Sequence, residues 1–560
     1  MSLAVESDRV SGRGPSAQRV WPSIATPELE RNDWLFLIAL AIAVLIAYQP
    51  VWNGGFLWDD AAHVTRPDLR SWHGLWSIWS APGSTQQYYP ITHSFFWLLQ
   101  HLCGDVSSRY HLVNIMLHVA AASMIGLTLR QLSIPGAWFI AAIFALHPVQ
   151  VESVAWISEV KNTLSAVLYL GAALSWFSYR RSADAGAYAL AFVLFALALC
   201  TKSVTATLPA ALLVVEWWRR GRLSWQHDVL PLVPFFILGI VAGLFTVWVE
   251  RTLVGAQGGE FHLTFVERCL IAGRALWFYA GKLLWPANLV FIYPRWTVSQ
   301  DMLWQYAYPV AAVVVLVVPW SLRHRFRGPL AGILYFAGTL FPALGFFNAY
   351  PFRFSFVADH FQYLASLGLI TPIGAGIAIA FQRRQLWDSS LAKATCIGIL
   401  SVLALLTWKQ AHVYADSESL YRATIQGNPK SWMAHNNLAG TLLARNAVDD
   451  AIPHIEMALA LKPDYAEARN NLGLALASKG RVNAALTEYR NAIELQPDYA
   501  EAYNNRGYLL ARNGRVDEAI LHYRRALEID PGLAMAHGNL AEVLIARGRT
   551  GGAIMHLESS

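Results

Sequence analysis

Long apolar runs separated by short polar turns occupy most of the chain up to about residue 415, and a soluble, periodic pattern replaces them beyond it. The runs fall at about 34–48, 111–129, 137–150, 163–179, 185–200, 204–218, 229–249, 306–322, 329–346, 364–381 and 391–411. Several are shorter than the ~20 residues that a perpendicular transmembrane helix needs, yet together they predict eleven membrane-crossing helices. Residues 1–33 are polar, carry Arg9, Arg13, Arg19 and Arg31, and lead into the first run without a convincing small-residue cleavage site. They predict a disordered cytoplasmic tail ahead of an uncleaved signal anchor.

Arginine placement tests the count. With eleven crossings, Arg130, then Arg180 and Arg181, then Arg219, Arg220 and Arg222, then Arg323, Arg325 and Arg327, then Arg383 and Arg384 all fall on one side. That is the cytoplasmic excess of basic residues that short loops show. The segment 264–292 is apolar enough for a twelfth span but carries Arg268, Arg274 and Lys282, and counting it would move the Arg323 loop outside. It is assigned to an outer-face or re-entrant helix. An odd count places the C-terminal part outside.

Past residue 415 a period appears: Pro429, Pro463, Pro497 and Pro531 are spaced by 34 residues, as are Asn437, Asn471, Asn505 and Asn539, and as are Ala451, Ala485, Ala519 and Ala553. This is the period of the tetratricopeptide repeat (TPR), a helix-turn-helix unit. Gly473 and Gly507 fall where the two helices of a unit pack closely, and Gly480, Gly514 and Gly548 end the first helix of each unit. The predicted architecture is all-α, with a multi-pass membrane domain over 34–414 and a TPR solenoid of four repeats, the last cut short, over 415–560. One repeat step returns the same helical position to the concave surface. The four asparagines should therefore form a ladder of amides, each able to donate to and accept from an extended peptide. Bracing of the repeats themselves is the plainer use of such residues.

Composition agrees with lipid as the main solvent: 55% of the 560 residues are hydrophobic and 14% charged, against about 25% charged in soluble proteins. Many of the 23 tryptophans, among them Trp34, Trp52, Trp217, Trp218 and Trp408, sit at the edges of apolar runs, where interfacial aromatic belts form. The net charge of +6 is accounted for by the basic loops and calls for no nucleic acid. Cys103, Cys200, Cys269 and Cys396 have no metal-ligand spacing, and two of them lie in apolar runs, which argues against a disulfide framework, although Cys103 and Cys269 could both face outside and pair.

The acids, histidines and lysines next to the apolar runs concentrate in the loops of the opposite face, so any chemistry is expected there. Asp59 and Asp60 follow the first run, where a carboxylate could take a proton from an acceptor hydroxyl or hold a divalent cation; a solvated turn is the simpler reading. His147, Glu152, Glu159 and Lys161 occupy HPVQVESVAWISEVKN, and polar groups at a membrane boundary are costly unless paired or used. Lys202 sits in a turn between two apolar arms, and Arg353 and His360 lie in the last outer loop. Three such cations converging at one leaflet could hold a lipid phosphate, whereas snorkelling would explain the lysine alone.

The segments GGFLWDDAAHVTRP, YYPITHSFFWLLQHLCG, YHLVNIMLHV, HPVQVESVAWISEVKNTLS, LCTKSVTATLP, GKLLWPANLVFIYP and ADHFQYLASLG, in that order and followed by TPRs, resemble the transmembrane-and-TPR O-mannosyltransferase family and its bacterial relatives, within the GT-C glycosyltransferases. The resemblance runs from about residue 35 to 555. It implies transfer of a sugar from a polyprenyl-phosphate carrier to a protein hydroxyl on the non-cytoplasmic face, for a bacterial chain at the inner membrane. Asp59 or Asp60 would be the general base, Lys161, Lys202, Arg353 and His360 would bind the donor phosphate, and His147, Glu152, Glu159, Asp359 and Tyr363 would line the site. A single-phosphate donor needs no obligatory metal or other cofactor, although a divalent cation could take part. The chain departs from the family pattern at His360, where an Arg is usual, at Ala365 for Pro, at Val160 for Arg and at Gln150 for a second His. These departures put phosphate binding in doubt, so a non-catalytic membrane scaffold for TPR-bound partner proteins is the rival reading. An enzyme should bring Asp59 or Asp60 to face Lys161, Lys202 and His360 across a cavity; a scaffold could let them scatter.

Overall fold

The computed structural model describes residues 29–549 apart from 65, 325 and 326, together with 553, 554 and 556. Most of the N-terminal tail, with Arg9, Arg13 and Arg19, lies outside the described residues, as does Arg325. The described residues form helices and turns with no strand. Each of the eleven apolar runs carries a helix, from Arg31–Ala47 to Ser390–Ala411, and 264–292 contributes Phe265–Leu284. Helices are the solution lipid imposes, because every backbone N–H and C=O is then satisfied within its own segment. Among the described residues, Ser107–Gln131, Trp225–Thr252, Leu303–Ser321 and Ser390–Tyr414 are long and apolar enough to cross a membrane.

A fifth candidate is broken. Ala137–Leu146 and Pro148–Ala155 meet at 54°, where Pro148 cannot supply a helical N–H. His147 fills the break: one ring nitrogen meets the Leu283 carbonyl at 3.0 Å and the other accepts from Val149 N at 3.3 Å. The chain then runs through short turns into Val160–Ser182, and every residue from 139 to 163 is buried. The segment 147–162, expected as a loop, is therefore a bent, buried element packed inside the helix bundle.

The basic turns form two clusters of buried or half-buried ion pairs. Arg130 pairs with Asp33, which also accepts from Trp138 Nε1 at 2.8 Å. Arg180 and Arg220 converge on Asp228 at 2.6 and 2.8 Å and on Glu216 at 3.4 and 3.3 Å, and Arg327 donates to the Trp218 carbonyl. These contacts join the ends of alternate helices.

At the other ends of those helices the TPR domain is seated on the membrane domain. Gly55 N donates to Ala415 O, Asn428 donates to Ile292 O at 3.2 Å, and Phe354 lies 5.4 Å from Trp432. Met433, Ala434 and Leu438 belong to the same continuous apolar core as Tyr48, Phe144 and Phe291. Within the repeats, a Cβ on Gly473 would lie 2.5 Å from the Tyr489 ring and one on Gly507 2.9 Å from Tyr523, which is why only glycine fits there. The asparagine ladder is present and is partly spent on the repeats. Asn471, Asn505 and Asn539 donate to Asn436, Asn470 and Asn504 of the preceding unit at 2.9, 3.0 and 2.9 Å, and Asn437 donates to the Tyr421 hydroxyl. Each such bond contributes roughly 1 kcal/mol. Replacing Asn471 and Asn505 together by Ala should therefore speed amide exchange across the helices Ala466–Ser478 and Ala500–Arg512. Exchange unchanged from the parent would mean that the ladder does not hold the repeats together.

Candidate functional site

One cavity of about 1550 Å³ lies between the membrane domain and the first TPR units. Its polar end is built from four separated stretches of sequence.

The first is the turn after Arg31–Ala47. Trp58 adopts φ +42°, a left-handed conformation that costs a non-glycine residue roughly 1–3 kcal/mol and that clusters at functional sites. Its ring is held against Trp156 at 5.7 Å, nearly parallel, with Phe291 and Phe354 at its edges. That turn sends the two following carboxylates in different directions. Asp60 is fully buried outside the cavity, and its oxygens accept from Leu57 N at 2.8 Å and Ser158 N at 2.7 Å. Asp59 lines the cavity, accepts from Ser158 Oγ at 3.0 Å and faces His63 Nε2 at 3.3 Å. Burial and the adjacent Asp59 push Asp60 up to about 8. Burial would raise Asp59 too, but His63 and Lys161 outweigh it and hold Asp59 below the usual carboxylate value. Two neighbouring acids with opposed environments are suited to two jobs: Asp60 fixes the turn, and Asp59 is the ionised group open to a ligand.

The second and third stretches are the buried bent element and the turn after Ala185–Thr201. Glu159, 1% exposed, receives Lys161 Nζ at 2.8 Å on one oxygen and Lys202 Nζ at 3.2 Å on the other. Asn162 donates to Glu159 at 2.6 Å and accepts from Lys202 at 2.6 Å. Burial alone would raise Glu159, yet His360 and the two lysines hold it well below the carboxylate range. For Lys202 burial prevails, helped by Lys161, and brings its pKa down to about 8. The fourth stretch, Asp359–Gln362, adds His360, whose backbone N and Nδ1 meet the two oxygens of Glu152 at 3.1 and 3.0 Å while Nε2 lies 3.9 Å from Glu159.

Of the residues singled out from sequence, Asp59, Glu152, Glu159, Lys161, Lys202, Arg353, His360, Tyr363, Asn437 and Asn471 line this cavity. Arg353 does so from the rim, paired with Glu260 at 3.2 Å and placed over the Trp432 ring. Asp60, His147, Asp359, Asn505 and Asn539 do not line it. His147 is occupied at the bend, and Asp359 accepts from the Tyr293 hydroxyl at 2.9 Å within the core. Among the lining residues that escaped sequence reasoning, three belong to the polar end. His63 stands one helical turn after Asp59, a spacing that could have flagged it. Asn162 adjoins Lys161. Glu250 ends the run 229–249, where a lone acid at a membrane edge is itself a signal; it accepts from Gln87 at 3.1 Å and from Tyr350 N at 2.9 Å. Among the described residues, no group of three or more His, Cys, Asp or Glu is arranged to hold a metal ion.

Away from the charges the cavity continues as an apolar groove. Phe236, Gly239, Ile240, Gly243, Leu244 and Val247 supply one face of Trp225–Thr252, and Phe341 and Pro342 close the other side. Ile240 and Leu244 are 59% and 65% exposed, so the groove is open on the side that lipid would cover. The cavity thus joins Asp59, a pair of lysines and an apolar groove.

The tetratricopeptide-repeat family model matches residues 402–466, 448–495 and 470–534. Drosophila melanogaster protein O-mannosyl-transferase Tmtc1 is 26% identical over 79% of this chain and 63% of its own length. A Caenorhabditis elegans protein O-mannosyl-transferase is 26% identical over 78% of this chain and 64% of its own. For human protein O-mannosyl-transferase TMTC1 the values are 25%, 77% and 55%. The chain therefore spans a little over half to just under two thirds of the length of these relatives. Among solved structures, MamA is similar to 27% of the chain at 23% identity with a TM-score of 0.23. The chain is thus similar, over its membrane domain and its repeats together, to proteins named protein O-mannosyl-transferases, and its C-terminal part carries tetratricopeptide repeats.

Proposed function

We propose that the chain is an integral-membrane glycosyltransferase that moves a sugar from a polyprenyl-phosphate carrier to Ser or Thr hydroxyls of proteins on the non-cytoplasmic face. In this reading the N-terminus is cytoplasmic, eleven helices cross, and the TPRs are extracytoplasmic and recruit acceptor or partner proteins. The observation that carries it is the placement of Asp59 in one cavity with Lys161, Lys202 and His360. A scaffold has no need of that arrangement. Burying lysines and a glutamate costs several kcal/mol per ion before pairing, and the left-handed Trp58 adds strain that only the orientation of Asp59 explains. The names of the relatives make mannose the first sugar to test.

The chemistry follows from the two ends of the site. The acceptor hydroxyl attacks the anomeric carbon and its proton passes to an oxygen of Asp59. The bond between the anomeric carbon and the phosphate oxygen breaks, and the carrier leaves as a phosphate monoester. A hydroxyl is a weak acid and gives up its proton only as the leaving bond opens, so an ionised carboxylate already in place is effective despite its low pKa. Lys161 and Lys202 meet the charge that grows on the leaving phosphate in a site largely cleared of water, where such stabilisation is greatest. Their existing bonds to Glu159 hold both ammonium groups in position. His360, oriented by Glu152, contributes charge only when protonated, in place of the permanent charge of the Arg usual in the family. The apolar groove along Trp225–Thr252 accepts the polyprenyl chain.

Two outcomes are expected. Asp59→Asn should lower sugar transfer by about 10²-fold or more with thermal unfolding unchanged, whereas Asp60→Asn should lower the unfolding temperature, because a buried backbone N–H loses its acceptor. A fully active Asp59→Asn protein would remove Asp59 as the base. Lys202 titrates near 8, and phosphate binding prefers its protonated form. Donor affinity should therefore weaken as pH rises through 8. In Lys202→Ala the affinity should already be down by about 10- to 100-fold, the worth of one or two charged hydrogen bonds, and that pH dependence should vanish. Equal affinity in the parent and Lys202→Ala, measured by lipid titration, would contradict the phosphate role.

A further inference from the structure

The cavity does not end at the membrane domain. Asn437, Gly440 and Thr441 from the helix Trp432–Ala444, Tyr465 and Asn471 from the next unit, and Gln496 line the same space as Asp59 and Lys202. This wall is fixed in place. The Trp432 ring is held between Phe354 at 5.4 Å and Arg353 at 5.6 Å from the membrane domain and Lys462 at 4.2 Å and Tyr465 at 4.7 Å from the repeats. Asn428 is bonded to the Ile292 carbonyl behind it.

We infer that the first two TPR units form the acceptor side of the catalytic chamber, and that the occupant of this wall is an extended polypeptide segment. The inference rests on the transferase reading above. Three observations carry it. The volume of about 1550 Å³ exceeds the roughly 300–1,000 Å³ of pockets that take a single small ligand, leaving room beside a donor headgroup. Among its polar lining are the amides of Asn436, Asn437, Asn471 and Gln496 and the hydroxyls of Thr441 and Tyr465, which match the alternating N–H and C=O groups of a peptide backbone without demanding particular side chains. Asn471 donates to Asn436, which fixes the amide plane and leaves its carbonyl oxygen to accept a peptide N–H. A segment bound there is delivered to Asp59 along a continuous path, so the repeats select the acceptor at the reacting end rather than tethering it at a distance.

Gly440 is the position to test. A Cβ there meets only Asn471 Nδ2 at 3.9 Å, and the residue lies within a helix that gains from losing a glycine, so Gly440→Phe fills the chamber without disturbing the fold. With the full chain in lipid nanodiscs and an unstructured Ser/Thr-containing peptide as probe, Gly440→Phe should raise the peptide Kd by about tenfold or more, a change of about 1.4 kcal/mol. Gly440→Ala and the binding of polyprenyl phosphate should stay as in the parent. A photo-crosslinking residue at 440 should capture the peptide, and one at the exposed Arg490 should not. Unchanged peptide affinity in Gly440→Phe, or equal capture at both positions, overturns the inference whatever the activity. Loss of peptide binding in Gly440→Phe from a parent chain that transfers no sugar supports the acceptor wall and overturns the transferase reading alone.

Discussion

The site depends on one buried carboxylate. Glu159 stands at the end of the buried bent element, almost without solvent, with an ammonium group on each oxygen. Removing it would leave Lys161 and Lys202 buried and repelling one another, and a broken buried pair costs about 3–5 kcal/mol. The element that carries Glu159 is folded inward by the break at His147 and Pro148, and Ser158, its neighbour, supplies the bonds that fix Asp60 and touch Asp59. Asp59 and the two lysines are thus positioned by the same short stretch, 147–161, although Asp59 and Lys202 come from distant loops. That economy explains why the bundle tolerates so many buried charges at one end.

Charge at the other end has a different use. Glu216 and Asp228 there are met by arginines from neighbouring helices, and Asp33 ties the first helix to Arg130 and Trp138. These ion pairs lie away from the large cavity and join helix ends. At the cavity the lysines have a partner and an open side as well. The contrast distinguishes the ion pairs that join helix ends from the cluster that the proposed function uses.

Much of this was legible in the chain. Uninterrupted apolar runs can only be helices in lipid, and a 34-residue period admits few folds, so the run from 185 to 200 and the repeat around Gly473 were readable from pattern alone. What pattern could not supply was direction. Asp59 and Asp60 are adjacent and chemically identical, and only the left-handed turn at Trp58, stabilised by rings from residues 156, 291 and 354, sends one into the cavity and the other into the backbone. His147 looked like a site residue because it shares a motif with Glu152 and Glu159, but the proline beside it breaks the helix and the imidazole is spent on the break. The ladder asparagines were visible as a period, whereas their division between bracing and an open wall follows from how the first repeats dock on the membrane domain, a long-range contact that no local signal encodes.

The central claim is that the two lysines around Glu159 receive a lipid phosphate while Asp59 faces the sugar. A cryo-electron microscopy structure of the full chain in nanodiscs with a polyprenyl-phosphate sugar tests it most directly. The account predicts phosphate oxygens within hydrogen-bonding distance of Lys161 Nζ and Lys202 Nζ, the hydrocarbon chain along Gly239 and Gly243, and the anomeric carbon on the side of Asp59. A lipid phosphate bound elsewhere, with the Glu159 cluster closed as in the free chain, would contradict it.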